Sequence, residues 1–358
     1  MKKKIGLIVL TIVLMVAMVL PLGACQAKTD PSGEKTIAFV DSAGRTVNLP
    51  QNIERIAPSG ALSQIVLFSL APDKLVGLTG KWTNDAELYI DQKYLDLPVL
   101  GQFYATGDLN LEVLAAANPQ VIIDIGEKKA TTVEDMDKIM DQVGIPTIFI
   151  EATTETMPAA YEKLGELLGM KKEAKTLSAY CEEIYSGTKK TMEQIGEAGK
   201  VNILYCLGVS GQNVIAKGSF HGEVIDLMTN NMAVVENVSG KGNGNEVSME
   251  QIIQWNPDYI IFAPGSIYAT VKDDAVWKNL KAIQSGNYYE VPFGPYNWLG
   301  FPPSVNRYMG MTWLGELLYP EEFDYDLYQE AKRHYKLFYH CDLTQEMYDA
   351  LMKNALSR

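Results

Sequence analysis

Short apolar runs alternate along this chain with stretches in which apolar positions recur every three or four residues. The first runs are Arg55-Ile56-Ala57, Leu75-Val76-Gly77-Leu78, Val121-Ile122-Ile123 and Pro146-Thr147-Ile148-Phe149-Ile150. A second set comprises Val201-Asn202-Ile203-Leu204-Tyr205, Asn213-Val214-Ile215, Tyr259-Ile260-Ile261-Phe262 and Tyr288-Tyr289-Glu290-Val291. Runs this short, rich in β-branched residues, predict buried strands. Their separation by helical stretches predicts an α/β fold with mostly parallel sheets covered on both faces. Ahead of the first run, Ile37-Ala38-Phe39-Val40 and Thr46-Val47-Asn48-Leu49 flank the Gly-containing segment Asp41-Ser42-Ala43-Gly44-Arg45, the pattern of a β-hairpin.

Between the two sets lies a helical stretch from about Met157 to Ile195. Leu177, Cys181, Ile184, Thr188, Met192 and Ile195 recur on one helix face. Gly169, just after Leu168, is a natural stop for a first helix. The remaining helix of ~24 residues would span ~36 Å at 1.5 Å per residue, enough to cross two lobes.

The chain also repeats itself. Asn110-Leu111-Glu112 leads through a helical stretch to Asn118-Pro119-Gln120-Val121, and Ser248-Met249-Glu250 leads likewise to Asn256-Pro257-Asp258-Tyr259. In each copy a capping residue opens a short helix. The Asn-Pro pair closes it, because proline disfavours helical geometry in the residue before it. A strand follows. Two such units at matched spacing predict two similar α/β lobes.

The N-terminus changes the picture. Lys2, Lys3 and Lys4 precede an apolar run from Ile5 to Leu22, which ends in Leu22-Gly23-Ala24-Cys25. This is a targeting segment, outside the fold. Its end resembles a bacterial lipobox, with cleavage before Cys25 and a lipid on the Cys25 thiol. The alternative is an uncleaved membrane anchor, since the run is close to the ~18-residue length of a spanning helix. Either way the rest of the chain lies outside the cytoplasm. Loss of residues 1–24 removes three lysines and takes the formal net charge from −13 to −16. So acidic a chain lacks the basic face that nucleic acid requires. The polar segment 25–36, with Pro31 and Gly33, reads as a tether. Cys181, Cys206 and Cys341 have no zinc-site spacing. Cys181 and Cys206 fall at apolar positions and read as buried free thiols, although one disulfide would be compatible with this location.

The ordered set of hairpin, Arg55-Ile56, Asn110-Leu111-Glu112 to Asn118-Pro119, long helix, Gly218 to Gly222, Val247-Ser248-Met249-Glu250-Gln251 and Asn256-Pro257-Asp258 resembles the helix-linked (class III) substrate-binding proteins of ABC importers. That family includes binders of ferric siderophores, haem, vitamin B12 and molybdate. The resemblance runs from about Ile37 to Tyr319. It implies two Rossmann-like lobes joined by a long linker helix, with a ligand cleft between them. It divides the chain into a signal peptide (1–24), tether (25–36), N-terminal lobe (37–156), linker-helix region (157–196), C-terminal lobe (197–320) and C-terminal helical extension (321–358). The extension runs beyond the usual end of the family and is expected to pack on the second lobe. The resemblance further implies binding without catalysis, no cofactor, a monomer, and an ABC permease with its ATPase as partners. One glutamate per lobe, Glu112 and Glu250 by the matched motifs, would dock on permease arginines. Either glutamate is also explained by its place in the first turn of a helix, where the helix dipole favours a negative charge.

Ligands of open parallel sheets lie beyond the carboxyl ends of the strands. The loops there carry the candidates Ser59, Gly60, Trp82, Tyr104, Lys217, Ser219, His221, Tyr268, Asn297, Trp298 and Arg307. Ser59-Gly60 and Ser219 to Gly222 open helices with small residues, where free N–H groups suit an anion. Flat aromatics with a polar tip suit a bulky ligand; the resemblance puts Trp82, Tyr104 and Trp298 at cleft positions, and the plainer reading packs each under a loop. Arg307 either approaches the cleft or braces the lobes. His221 is the one histidine placed for contact, and no cluster of His and carboxylates suggests a free-metal site. The departure Pro58-Ser59-Gly60-Ala61-Leu62-Ser63-Gln64 lacks the Thr-Glu pair common in the family. The ligand expected is a metal chelate (iron-siderophore, haem or corrinoid); a molybdate or tungstate oxyanion is the alternative, as is a sensor role. No Gly-x-Ser-x-Gly, His-Glu-x-x-His or dinucleotide glycine fingerprint supports an enzyme.

Overall fold

The computed structural model describes residues 28–29, 35–83, 85–103 and 108–356. Strands Lys35–Val40 and Thr46–Pro50 pair as an antiparallel hairpin. Its turn is organised by Asp41, whose carboxylate accepts from the N–H groups of Ala43 and Arg45, both at 2.9 Å. Arg45 closes on Asp41 and on the carbonyl of Thr147, each at 3.0 Å, which fastens the hairpin to the first lobe.

In that lobe Ile56–Pro58, Val121–Gly126 and Thr147–Glu151 form a three-stranded parallel sheet in that order. Helices Ala61–Leu70 and Thr132–Val143 connect and cover it. Leu75–Leu78, expected as a strand, makes only isolated bridges, Ile56 with Leu75 and Leu78 with Val99. In the second lobe the order is Asn245–Glu246, Asn213–Val214, Asn202–Leu207, Tyr259–Phe262 and Tyr288–Glu290, with Asn230–Asn231 also on Asn202–Leu207. Its central pairs are parallel, whereas Asn213–Val214 pairs antiparallel on both sides, so this sheet is mixed.

Helix Met157–Leu168 ends at Gly169 in a left-handed conformation (φ 70°), and the spine helix Lys171–Gly199 follows. Gly196 (φ 69°, ψ 168°) interrupts the spine near its end. The uninterrupted part is ~37 Å long at 1.5 Å per residue. Leu177, Cys181, Ile184, Thr188 and Met192 are buried along one stripe, the face read from the sequence. Cys181 and Cys206 are buried free thiols and Cys341 is free and partly exposed.

Helix Asn306–Leu318 is buried almost all round, as expected of a central helix, and Leu327–Phe338 and Gln345–Leu351 follow it. The C-terminal segment does not confine itself to the second lobe. Arg333 makes a two-pronged pair with Glu183 of the spine, at 2.7 and 2.6 Å. The His340 imidazole packs edge-on against Phe68 of the first lobe, with centroids 5.5 Å apart. Asn354 pairs with Glu290 of the second lobe through main chain (2.9 Å) and side chain (2.8 Å). The segment is a strap over both lobes and the spine.

Each sheet has an apolar cluster of its own: Ala57, Ile122 and Phe149 with Leu114 and Met136 in the first lobe, and Leu204, Cys206, Ile260 and Phe262 with Trp277 in the second. A third, larger cluster runs from Ile56 and Phe68 through Tyr161, Tyr180 and Cys181 to Ile203, Tyr205, Tyr308 and Tyr335. No helix among the described residues is long and apolar enough to cross a membrane.

Candidate functional site

Cavities open at the strand ends of both sheets. On the second lobe, the ends of Asn202–Leu207 and Tyr259–Phe262 open into a cavity of about 420 Å³. It is lined by Leu207, Gly208, Asn213, Gly242, Asn243, Ala263, Pro264, Phe293, Asn297 and Phe301, none of them charged. Phe293 and Phe301 remain 37% and 53% exposed, large apolar faces left without cover. Gly242 lets Phe301 lie on the backbone: a Cβ there would come within 2.6 Å of the ring and 3.2 Å of His221 Cε1.

A second cavity of about 430 Å³ lies where the lobes meet beside the spine. Glu127 and Thr153 to Glu155 come from the first lobe, Gly218 to Phe220, Glu223, Asp226 and Leu227 from the second, and Tyr185 from the spine. Phe220 lines this cavity, while its neighbour His221 stands against Gly242, which lines the other. His221 Nδ1 lies 2.9 Å from the carbonyl of Gly300. A carbonyl only accepts, so Nδ1 carries the proton and Nε2 keeps a lone pair. Burial pushes the imidazole below its ordinary pKa, with the Gly300 bond opposing in part, which favours the neutral ring. Among the described residues Nε2 has no partner.

The remaining candidates divide. Gly60 opens the helix Ala61–Leu70 with no side-chain cap and open space beside its Cα, so the first N–H groups of a ten-residue helix are uncovered. Lys217 is exposed. Ser219 is buried, with a hydroxyl that finds no partner among the described residues. Tyr268 packs on Phe262 and Tyr288, with centroids at 6.2 and 5.7 Å. Tyr104 and Cys25 lie outside the described residues.

Five candidates serve the interior instead. The Ser59 hydroxyl bonds to Asp124 and lies 3.1 Å from Ser63 Oγ, committed within its lobe. Trp82 is buried edge-on against Phe68 (5.0 Å) and donates to the Tyr94 carbonyl at 3.3 Å. Trp298 is 1% exposed and donates to Tyr335 at 3.2 Å. Asn297 borders the apolar cavity, but its Oδ1 is filled by the N–H groups of Leu299, Gly300 and Phe301 at 3.2, 2.9 and 3.0 Å. Arg307, 2% exposed, bonds to Glu223 (2.6 Å), Thr154 Oγ1 (3.2 Å) and the Phe220 carbonyl, so it takes the bracing role. Burial pushes its guanidinium down to about 10, still charged at neutral pH.

Glu112 and Glu250 are both exposed, each in the first turn of a seven-residue helix. Asn110 and Ser248 cap these helices through their side chains, and Asn118 and Asn256 end them in left-handed geometry (φ 48° and 42°). Among the described residues no group of three or more His, Cys, Asp or Glu side chains converges as a metal site. Sequence reasoning passed over Phe293, Phe301 and Gly242. Phe301 precedes a proline in a loop, and nothing in such a segment distinguishes an exposed ring from a buried one.

A sequence-family profile described as periplasmic binding protein matches residues 64–294, more than half of the chain. The molybdate-binding protein MolA of Haemophilus influenzae is 21% identical over 331 residues, covering 84% of this chain and 90% of that protein. The Fe(3+)-citrate-binding protein YfmC of Bacillus subtilis is 23% identical over 185 residues, 51% of this chain and 56% of that one. Among solved structures, an ABC transporter solute binding protein from Sulfurospirillum deleyianum superimposes with a TM-score of 0.81 at 28% identity, covering 88% of this chain and 99% of that one.

Proposed function

This chain belongs to the periplasmic binding protein family, as a solute-binding protein of an ABC importer acting outside the cytoplasm and not as an enzyme, and on that premise we propose that its cargo is a metal chelate carried by an organic ligand. The carrying observation is the uncharged cavity edged by Phe293 and Phe301. Apolar rings left open to solvent suit a ligand with flat apolar parts of its own. The His221 Nε2 lone pair beside it suits a metal-bound or hydrogen-donating group, and the uncovered helix start at Gly60 suits an anionic one. In this reading Cys25 carries the lipid that holds the protein at the membrane, the protein acts as a monomer, and Glu112 and Glu250 meet the permease.

A second reading, a tetrahedral oxyanion, has one observation in its favour. The relative named for molybdate matches 84% of this chain, and the Gly60 helix start would serve such an anion.

Protein purified from its own cells, analysed by native mass spectrometry with elemental analysis, separates the two. The chelate reading expects iron or cobalt together with an organic mass, and weaker retention of it in Phe301→Ala. Molybdenum or tungsten without an organic component would sink it.

A further inference from the structure

Thr154 stands in the first lobe, between the strand Thr147–Glu151 and the helix Met157–Leu168 that leads into the spine. Every polar group it owns is held by the second lobe or the central helix. Its N–H and its hydroxyl both donate to Glu223 Oε2, at 2.9 and 2.6 Å. Its carbonyl accepts from the Tyr308 hydroxyl at 2.8 Å. Arg307 Nη1 bonds to the same Glu223 oxygen at 2.6 Å and to the Thr154 hydroxyl at 3.2 Å. Arg307 is itself fixed by the Phe220 carbonyl and by the Phe220 ring, 4.5 Å from the guanidinium.

We infer that Thr154 is the fulcrum on which the lobes turn, and that Glu223, Arg307 and Tyr308 form the socket that positions it. Drawing Thr154 out would strand its N–H, hydroxyl and carbonyl in a site where Thr154 is only 5% exposed, and a buried polar group without a partner is costly. The location favours a pivot over a latch at the jaws. Tyr185 of the spine lines the same cavity as Thr154 and Glu223, so the contact sits beside the helix that joins the lobes. Contacts close to a rotation axis survive a rotation that separates distant ones. A second tie joins the lobes elsewhere: Thr83 Oγ1 donates to the Pro295 carbonyl at 2.6 Å. Trp82 and Tyr296 extend that tie, with ring centroids 5.9 Å apart. Sliding would break the directional bonds at Thr154, so rotation about it is the motion that keeps them.

This inference rests on the two-lobed binding reading for its purpose, but its test needs no ligand, so an error in the cargo leaves it standing. Spin labels go on Val133→Cys and Val276→Cys, at sites 42% and 41% exposed in the two lobes, in full-length protein carrying Cys25→Ser and Cys341→Ser. Cys181 and Cys206 are fully buried and escape labelling. Pulsed electron-electron distance measurement should give one narrow separation in this background. Glu223→Ala and Thr154→Val should broaden it and shift it to longer distance. Arg333→Ala, which removes the strap's contacts with Glu183, Glu330 and Tyr180 and none at Thr154, should leave it narrow. Distributions for Glu223→Ala and Thr154→Val that superimpose on the parent would overturn the inference, as would equal broadening in Arg333→Ala. If Glu223→Ala loses its circular dichroism signal, Thr154→Val alone decides.

Discussion

His334 has no accessible surface and, among the described residues, no hydrogen-bond partner on either ring nitrogen. Around it stand Phe338, Tyr180, Tyr335 and Tyr339, with centroids 4.7 to 6.1 Å away. Burial pushes its pKa down to about 3, so the folded protein holds it neutral. The unfolded chain titrates it near ~6.5. Between those values the unfolded state binds the extra proton, so the proton-linked cost of this site is absent above pH 6.5 and grows as pH falls. The slope is about 1.4 kcal/mol per pH unit. His334→Phe should therefore keep a fixed offset from the parent in melting temperature above pH 7 and gain on it progressively below pH 6. A constant difference across that range would refute the assignment. His334 illustrates what one sequence conceals. An aromatic or imidazole ring beside a loop has the same letters whether it faces in or out. Trp82 and Trp298 followed the interior, and their N–H groups found partners there, while Phe293 and Phe301 stayed at the cavity. Arg307 was equally ambiguous, because its partners Glu223 and Thr154 lie 84 and 153 residues away in sequence.

Elements were legible where their causes are local. The units Leu111–Ala117 and Met249–Trp255 follow from a capping side chain before the helix and an Asn-Pro pair after it, all within ten residues. The spine was legible because its buried stripe has helical spacing and Gly169 stops the helix before it. Strand pairing was less so. Leu75–Leu78 has strand composition but gains only single bridges, and Asn213–Val214 turns back antiparallel on Asn202–Leu207. Neither fact is written in the run itself. The two matched units also carry an element-scale prediction. Glu112 and Glu250 are exposed near helix starts, so both are dispensable for packing, and each gains only a little from the helix dipole. In Glu112→Lys with Glu250→Lys, uptake of the native cargo should be abolished while ligand affinity, measured by calorimetric titration, stays at the parent value. Normal uptake in the double variant would remove these residues from the permease contact.

At the scale of the whole molecule, two lobes do not mean two independent folding units. The private clusters of the sheets are small, and the largest apolar cluster is common property. It passes from Ile56 and Phe68 in the first lobe through Tyr161 and Tyr180 to Ile203 and Tyr205 in the second, with Tyr308, Leu327, Tyr335 and Phe338 filling the middle. The strap is part of that filling. Tyr335 accepts from Trp298 at 3.2 Å, donates to the Gly294 carbonyl and packs on Tyr89 of the first lobe at 5.3 Å. Separating the lobes would expose one face of this cluster on each, and the apolar area lost would penalise either lobe alone. Heat should therefore unfold the protein in a single transition whose calorimetric and van't Hoff enthalpies agree, the signature of one cooperative unit. Removing residues 321–358 takes Phe323, Leu327, Ala331, Tyr335 and Phe338 out of the shared cluster. That truncation should split the transition in two or abolish it, although the strap lies outside both sheets. Two resolved transitions in the intact chain would mean that the common cluster does not couple the lobes, and any coupling between them would have to come from the spine alone.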